Sequence, residues 1–164
     1  MTLSGLNALG RDAFVEAIGW VFEDSPWIAE RVWPGRPFVS VEALHQTMAA
    51  VMYAATADRQ LALLKAHPDL GAKLKMSAAS TGEQAGAGLD QLSPETYEQL
   101  TELNATYRKK FGFPFLFAVK GSTPAQILEA LQLRLTRDRA AEFEEALRQV
   151  ARIAWLRLES MVTK

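Results

Sequence analysis

At 164 residues the chain is the size of one ordinary domain, and with 49% hydrophobic and 23% charged residues it has the apolar content of a packed core. Eighteen Lys and Arg face nineteen Asp and Glu, a formal net charge of -1, which argues against a nucleic-acid binder built on a strongly basic surface. Cysteine is absent, and that excludes disulfides, thiolate-bound zinc, iron–sulfur clusters and a thiol nucleophile.

Met1 to Leu6 has no basic stretch followed by a long apolar run, so no signal peptide is expected. No stretch of about 18 uncharged apolar residues exists to cross a membrane. A soluble, cytoplasmic protein is the expectation.

Helical periodicity dominates the pattern. Phe14, Ile18, Val21 and Phe22 predict an amphipathic helix from about Asp12 to Phe22. Ser25-Pro26 reads as an N-cap followed by proline at the first helical position, and that short helix should end before Pro34-Gly35. Ser40 can cap a third helix with Leu44, Met48, Val51 and Met52 on its apolar face. Leu61, Leu63 and Leu64 belong to a fourth, which should stop at His67 because Pro68 disfavours helical backbone before it. Gly71 to Leu92 is rich in glycine and small residues. Within it, Ser80-Thr81-Gly82-Glu83 fits a capping box, so a short helix is expected to begin there. Ser93-Pro94 opens another helix, with Tyr97, Leu100, Leu103 and Tyr107 inward. Phe111 to Gly121 reads FGFPFLFAVKG; with no convincing second strand to pair with it, a buried extended segment is expected. Thr123-Pro124 starts a helix carrying Ile127, Leu128, Leu131 and Leu135. The last helix, from about Arg139, carries Phe143, Leu147, Val150, Ala154, Leu158 and Met161. The sum is an all-α chain of seven to nine helices, read as one domain over residues 1–164.

Four features could carry chemistry. His67 lies at a helix end, in Lys65-Ala66-His67-Pro68-Asp69-Leu70. Imidazole titrates near neutrality, so it can give or take a proton there, although a plain C-terminal cap would also suit it. The other histidine, His45, falls inside a helix and reads as a partly exposed helix residue. Glu83 and Gln84 sit among glycines, where main chain can approach a ligand closely; Glu83 also has a capping explanation. The Phe-rich segment must find partners for its amide and carbonyl groups, which core packing or a polar ligand could provide. Arg157, on an otherwise apolar helix, needs an anion or a route to solvent. Phosphate-cradling GxxxxGK[ST] and GxGxxG are missing, as are HExxH and GxSxG. Acid–base chemistry without a metal or organic cofactor is therefore expected.

Taken in order, the motifs resemble the 2-oxo-4-hydroxy-4-carboxy-5-ureidoimidazoline (OHCU) decarboxylases. Those carrying the likeness are Val21-Phe22-Glu23-Asp24-Ser25-Pro26-Trp27, Ala66-His67-Pro68-Asp69-Leu70, Ser80-Thr81-Gly82-Glu83-Gln84 and Ala87-Gly88-Leu89. The strongest runs from Leu103-Asn104-Ala105-Thr106-Tyr107 through Arg108-Lys109-Lys110-Phe111 to Gly112-Phe113-Pro114-Phe115. Ile153 to Leu158 resembles the family's closing helix. The resemblance implies an all-helical, cofactor-independent enzyme of urate breakdown. Such an enzyme turns OHCU into (S)-allantoin and carbon dioxide, commonly as a homodimer and with no nucleic-acid or membrane partner. By it, His67 matches the catalytic histidine and Glu83 the pocket glutamate. Pro68, Ser80 and Gln84 fall on substrate-contacting positions. Phe115, Phe117, Ala118 and Val119 fall in the stretch whose backbone binds the ring, and Arg157 matches a pocket arginine. Arg137 stands where asparagine is expected in many relatives, a departure that bears on local packing or the pocket edge. Two other readings stay open on the residues alone: a non-catalytic helical interaction module, and a hydrolase acting on a cyclic ureide.

Overall fold

The structure, a computed structural model, describes residues 1–71 and 78–164. Residues 72–77 of the glycine-rich stretch, and the side chain of Ser80, lie outside the described residues. Nine α-helices, one short 3-10 helix (Trp33–Gly35) and one isolated backbone bridge make up the regular structure among the described residues, so the fold is all-α. The chain gathers into two compact units, one formed by residues 1–66 with 150–164, the other by residues 67–149.

The first unit contains α1 (Leu3–Ala8), α2 (Arg11–Ile18), α3 (Trp27–Val32), α4 (Val41–Ala54), α5 (Ala57–Ala66) and the later part of α9 (Arg139–Met161). Leu6, Phe14, Ile18, Ile28, Leu44, Met52, Ala154 and Leu158 are fully buried in it. Each large apolar side chain so buried contributes roughly 1.5–3 kcal/mol. Ser40 caps α4 as its sequence predicts, accepting from the Ala43 amide at 3.0 Å. Thr2 and Thr163 form the bridge: the Leu3 amide donates to the Thr163 carbonyl and the Thr163 amide to the Met1 carbonyl, both at 2.8 Å.

Two boundaries here differ from the sequence expectation. α2 stops at Ile18 rather than Phe22, although Val21 and Phe22 are buried as their pattern demands. Beyond the helix end the carbonyls of Trp20 and Val21 accept from the Arg157 guanidinium at 3.3 and 3.2 Å. Ser25 does not cap α3 with its side chain, because its hydroxyl donates to the Glu23 carbonyl at 2.9 Å; the helix begins one residue beyond Pro26.

The second unit contains α6 (Ala78–Gly86), α7 (Pro94–Phe111), α8 (Pro124–Arg134) and the first part of α9. α6 starts ahead of Ser80, so Ser80 lies within the helix and the expected Ser80–Glu83 capping box is not its start. The α7 and α8 starts follow the sequence. Ser93 accepts from the Thr96 amide at 3.2 Å, and Thr123 forms a reciprocal capping box with Gln126. Gly112 closes α7 at φ 83°, a left-handed conformation that glycine adopts without a Cβ clash. Pro114 to Val119 is irregular, neither helix nor strand, and Phe113, Phe115 and Leu116 are buried as expected. Tyr107 anchors the aromatic packing, its ring centre 4.5 Å from Phe111 and 5.4 Å from Phe115.

Candidate active site

His67 is the first residue beyond α5 and is 5% exposed. Pro68 prevents the helix from continuing through it, so the imidazole heads a turn, His67 to Gly71, rather than a helix face. Three side chains hold that turn. Gln84, on α6 and buried, accepts from the Gly71 amide at 2.8 Å. Asn104, on α7, donates to the Leu70 carbonyl at 2.8 Å, and one turn later Arg108 reaches Asp69 at 2.9 Å. Gly71 takes φ +73°, and a Cβ there would lie 2.6 Å from Leu100 Cδ2. Glu83 precedes Gln84 on α6 and is half-buried. The turn after α6 packs Gly88 against Pro124 at the head of α8, 3.6 Å from where a Cβ would stand.

α7 thus serves both segments: Asn104 and Arg108 fasten the His67 turn, and Tyr107 between them packs on Phe115. From the other end of the unit, α8 and α9 fasten the Phe-rich segment. Arg134 donates to the Leu116 carbonyl through Nη1 and to Glu142 through Nε, the latter at 2.7 Å. Glu142 is fully buried and also accepts from the Tyr107 hydroxyl at 2.5 Å and from Arg137 at 3.1 Å. Burial, reinforced by the hydrogen bond to Glu142, pushes the Tyr107 phenol above its ordinary range, so it stays protonated and donates. Gln149 accepts from the Ala118 amide at 2.9 Å, while its own Nε2 donates to Glu145 at 2.8 Å. Burial alone would raise the Glu145 carboxyl, but hydrogen bonds from Gln149 and Arg148 outweigh it and hold the group below the usual carboxylate range.

The second unit therefore contains His67, Pro68, Glu83, Gln84 and Phe115 to Val119. Arg157 belongs to the first unit. It is 3% exposed and its Nη1 bonds Glu23 at 2.9 Å, an internal ion pair between buried groups. His45 is half-buried in the same unit, its Nε2 2.7 Å from the Ala151 carbonyl. Arg137 is a packing residue through its bond to Glu142. Sequence reasoning assigned no role to Asn104, Arg134, Glu142 or Gln149. A signal for Asn104 existed, since it shares a helical face with Leu100 and Tyr107 and is buried like them. Arg134 and Glu142 lie on different helices, eight positions apart, and no helical spacing links them.

One all-α unit thus carries a buried imidazole at the head of a braced turn and a half-buried carboxylate on the next helix. The family model for OHCU decarboxylase matches residues 7–159. The OHCU decarboxylase of Halalkalicoccus jeotgali is 47% identical over 161 residues, covering 98% of this chain and 92% of that protein. The crystal structure of (S)-allantoin synthase aligns with a TM-score of 0.82 at 30% identity, over 99% of this chain and 54% of that one. An OHCU decarboxylase crystallised in the presence of (S)-allantoin aligns with a TM-score of 0.71 at 26% identity, over 92% and 97% respectively. The chain belongs to the OHCU decarboxylase family.

Proposed function

We propose that this chain is a cofactor-independent decarboxylase that converts OHCU to (S)-allantoin and carbon dioxide in urate catabolism. The observation that carries the reading is the placement of His67. It is buried and heads a turn fastened by α6 and α7, in the same unit as Glu83 and the extended segment.

The substrate can serve as its own electron sink. Its carboxyl-bearing ring carbon also holds a hydroxyl and adjoins an unsaturated ring carbon. When the bond to the carboxylate breaks, its electron pair forms a double bond to the neighbouring ring carbon, and the pair of that carbon's bond to the ring nitrogen moves onto the nitrogen, which takes a proton. The hydroxyl then gives up its proton and becomes the carbonyl while the neighbouring ring carbon, the one bearing the ureido group, takes a proton, and the face it reaches sets the configuration. His67 exchanges the proton with the hydroxyl and carboxylate region. Glu83 accepts from ureido or ring N–H groups and orients His67 or the substrate. Main-chain groups of Phe117 and Val119 hold the ring edge, Pro68 and Gln84 shape the pocket wall, and Ser80 contacts the substrate. Holding one face of the planar intermediate toward the proton donor makes delivery stereospecific. Arg157 is retained as a pocket residue on the family resemblance, while its pairing with Glu23 supports a structural part. The two parts forecast opposite outcomes for a double variant.

The test generates OHCU in situ and follows the circular dichroism of the product. One allantoin enantiomer should appear faster than the racemate of uncatalysed decay, with release of carbon dioxide; a hydrolase would release none. His67→Asn should lower turnover by about 10²–10⁴-fold with an unchanged melting curve. Full turnover with unchanged enantiomeric excess in that variant would remove His67 from the chemistry. A cytoplasmic homodimer completes the proposal on the resemblance alone. Among the described residues no helix is long and apolar enough to cross a membrane.

A further inference from the structure

Two polar relays converge on one edge of the Phe-rich segment. The first runs from Glu142 through Arg134 to the Leu116 carbonyl, and the second from Glu145 through Gln149 to the Ala118 amide. Residues 142, 145 and 149 fall on one face of α9, at the i, i+3, i+7 spacing of a helical stripe. Each relay fixes its own polarity. An Arg guanidinium only donates, so its Nη1 must meet a carbonyl. Gln149 spends its NH₂ on a carboxylate held ionised, so its carbonyl oxygen is turned toward an amide.

In extended chain, successive residues direct their backbone groups to opposite sides. By that alternation the Leu116 and Ala118 groups that the relays hold belong to one side of the segment, and those of Phe117 and Val119 to the other. Among the described residues neither the Phe117 amide and carbonyl nor the Val119 amide has a protein hydrogen-bond partner. The Val119 carbonyl accepts from the Ser122 amide at 2.9 Å, closing the segment into the following turn. Backbone groups withdrawn from water require partners; besides those of Phe117 and Val119, the Leu116 amide and the Ala118 carbonyl are open among the described residues, while the relays hold the Leu116 carbonyl and the Ala118 amide.

We infer that Arg134 and Gln149 are positioning residues for substrate binding. They clamp the Leu116–Ala118 edge so that the Phe117 and Val119 groups are presented, in fixed register, to the amide and carbonyl edge of a cyclic ureide. The inference rests on the proposed decarboxylase reading for the identity of that ligand. Neither side chain touches the reacting atoms. Their effect is on how well the segment is pre-set for binding, which raises KM rather than lowering kcat when it is lost.

The experiment uses Gln149→Met and Arg134→Lys in the full chain. Gln149→Met removes the acceptor at nearly constant volume. Arg134→Lys keeps a cation beside Glu142 but lacks the fork that bonds Glu142 and Leu116 together. Each should raise KM for OHCU about tenfold, the effect of roughly 1.4 kcal/mol of lost binding, with kcat changed less than about twofold. A companion measurement on the unaltered protein does not depend on the variants folding. The Ala118 amide should exchange hydrogen more slowly than those of Phe117 and Val119 in the ligand-free protein. Adding (S)-allantoin should shift and protect the Phe117 and Val119 amides and leave Ala118 as it was. Folded variants with unchanged KM, or an Ala118 amide that exchanges as fast as its neighbours, would overturn the clamp while leaving an active wild type intact. A wild-type protein that does not decarboxylate OHCU would instead overturn the decarboxylase reading itself.

Discussion

Arg157 and Glu23 are 134 positions apart and almost completely buried, so each depends on the other to offset its removal from water. Removing one partner strands the other charge. Arg157→Met should cost about 3–5 kcal/mol in a denaturant titration, and adding Glu23→Leu should recover most of that. Activity of the double variant then separates two parts for Arg157. Restored stability with restored turnover makes the arginine structural, whereas restored stability without turnover makes it part of the reaction. A separation of 134 residues is why the sequence could say only that Arg157 needed an anion, and not which one. His67 was more legible, because the proline after it interrupts the helix at a definable place. Glu83 was legible as a candidate, but the capping role offered for it depended on a helix start that the structure moves to Ala78.

At the scale of elements, helices with a side-chain cap and proline at the first position were readable from sequence, as α7 and α8 show. Each start was announced by chemistry within a few residues. α2 ends short of the expected place, and the chain beyond it is fastened by the Arg157 guanidinium of α9 through the Trp20 and Val21 carbonyls, a contact that nothing near residue 20 encodes. The irregular, buried character of Pro114 to Val119 was legible from its apolar run and the lack of a strand mate. Its fastening by α8 and α9 was not, since side chain to main chain bonds between elements leave no periodic trace. The His67 turn is the element whose local backbone matters most. Gly71→Ala places an L-residue at φ +73° and should cost about 1–2 kcal/mol from that conformation alone, with further cost if Leu100 cannot withdraw. Turnover should fall along with the melting temperature, because the turn carries His67. Gly71→Asn should recover part of the stability, since asparagine tolerates left-handed backbone better than alanine. Equal melting temperatures for wild type and Gly71→Ala would show that the turn relaxes without strain.

For the whole molecule, the family match over residues 7–159 spans both compact units. The first unit is assembled from two stretches at opposite ends of the chain, and the second from the stretch between them. The 150–164 stretch supplies fully buried Ala154 and Leu158 to the first unit, so that unit's core is incomplete until the last helix is made. The bridge between Thr2 and Thr163 adds to this, with the Met1 amino group donating to the Met161 carbonyl at 3.1 Å. Backbone that is already hydrogen-bonded to itself at these two places behaves as a loop cut once. A short Gly/Ser tether of about six residues would rejoin it, and a new opening could be made at the exposed Thr56 between α4 and α5. The rearranged chain should show the same helical circular dichroism and melt within a few degrees of the original. Under that exchange of start and finish, residues 150–164 and 1–56 of the first unit would be read out as one stretch, with only residues 57–66 set apart from it by the segment that forms the second.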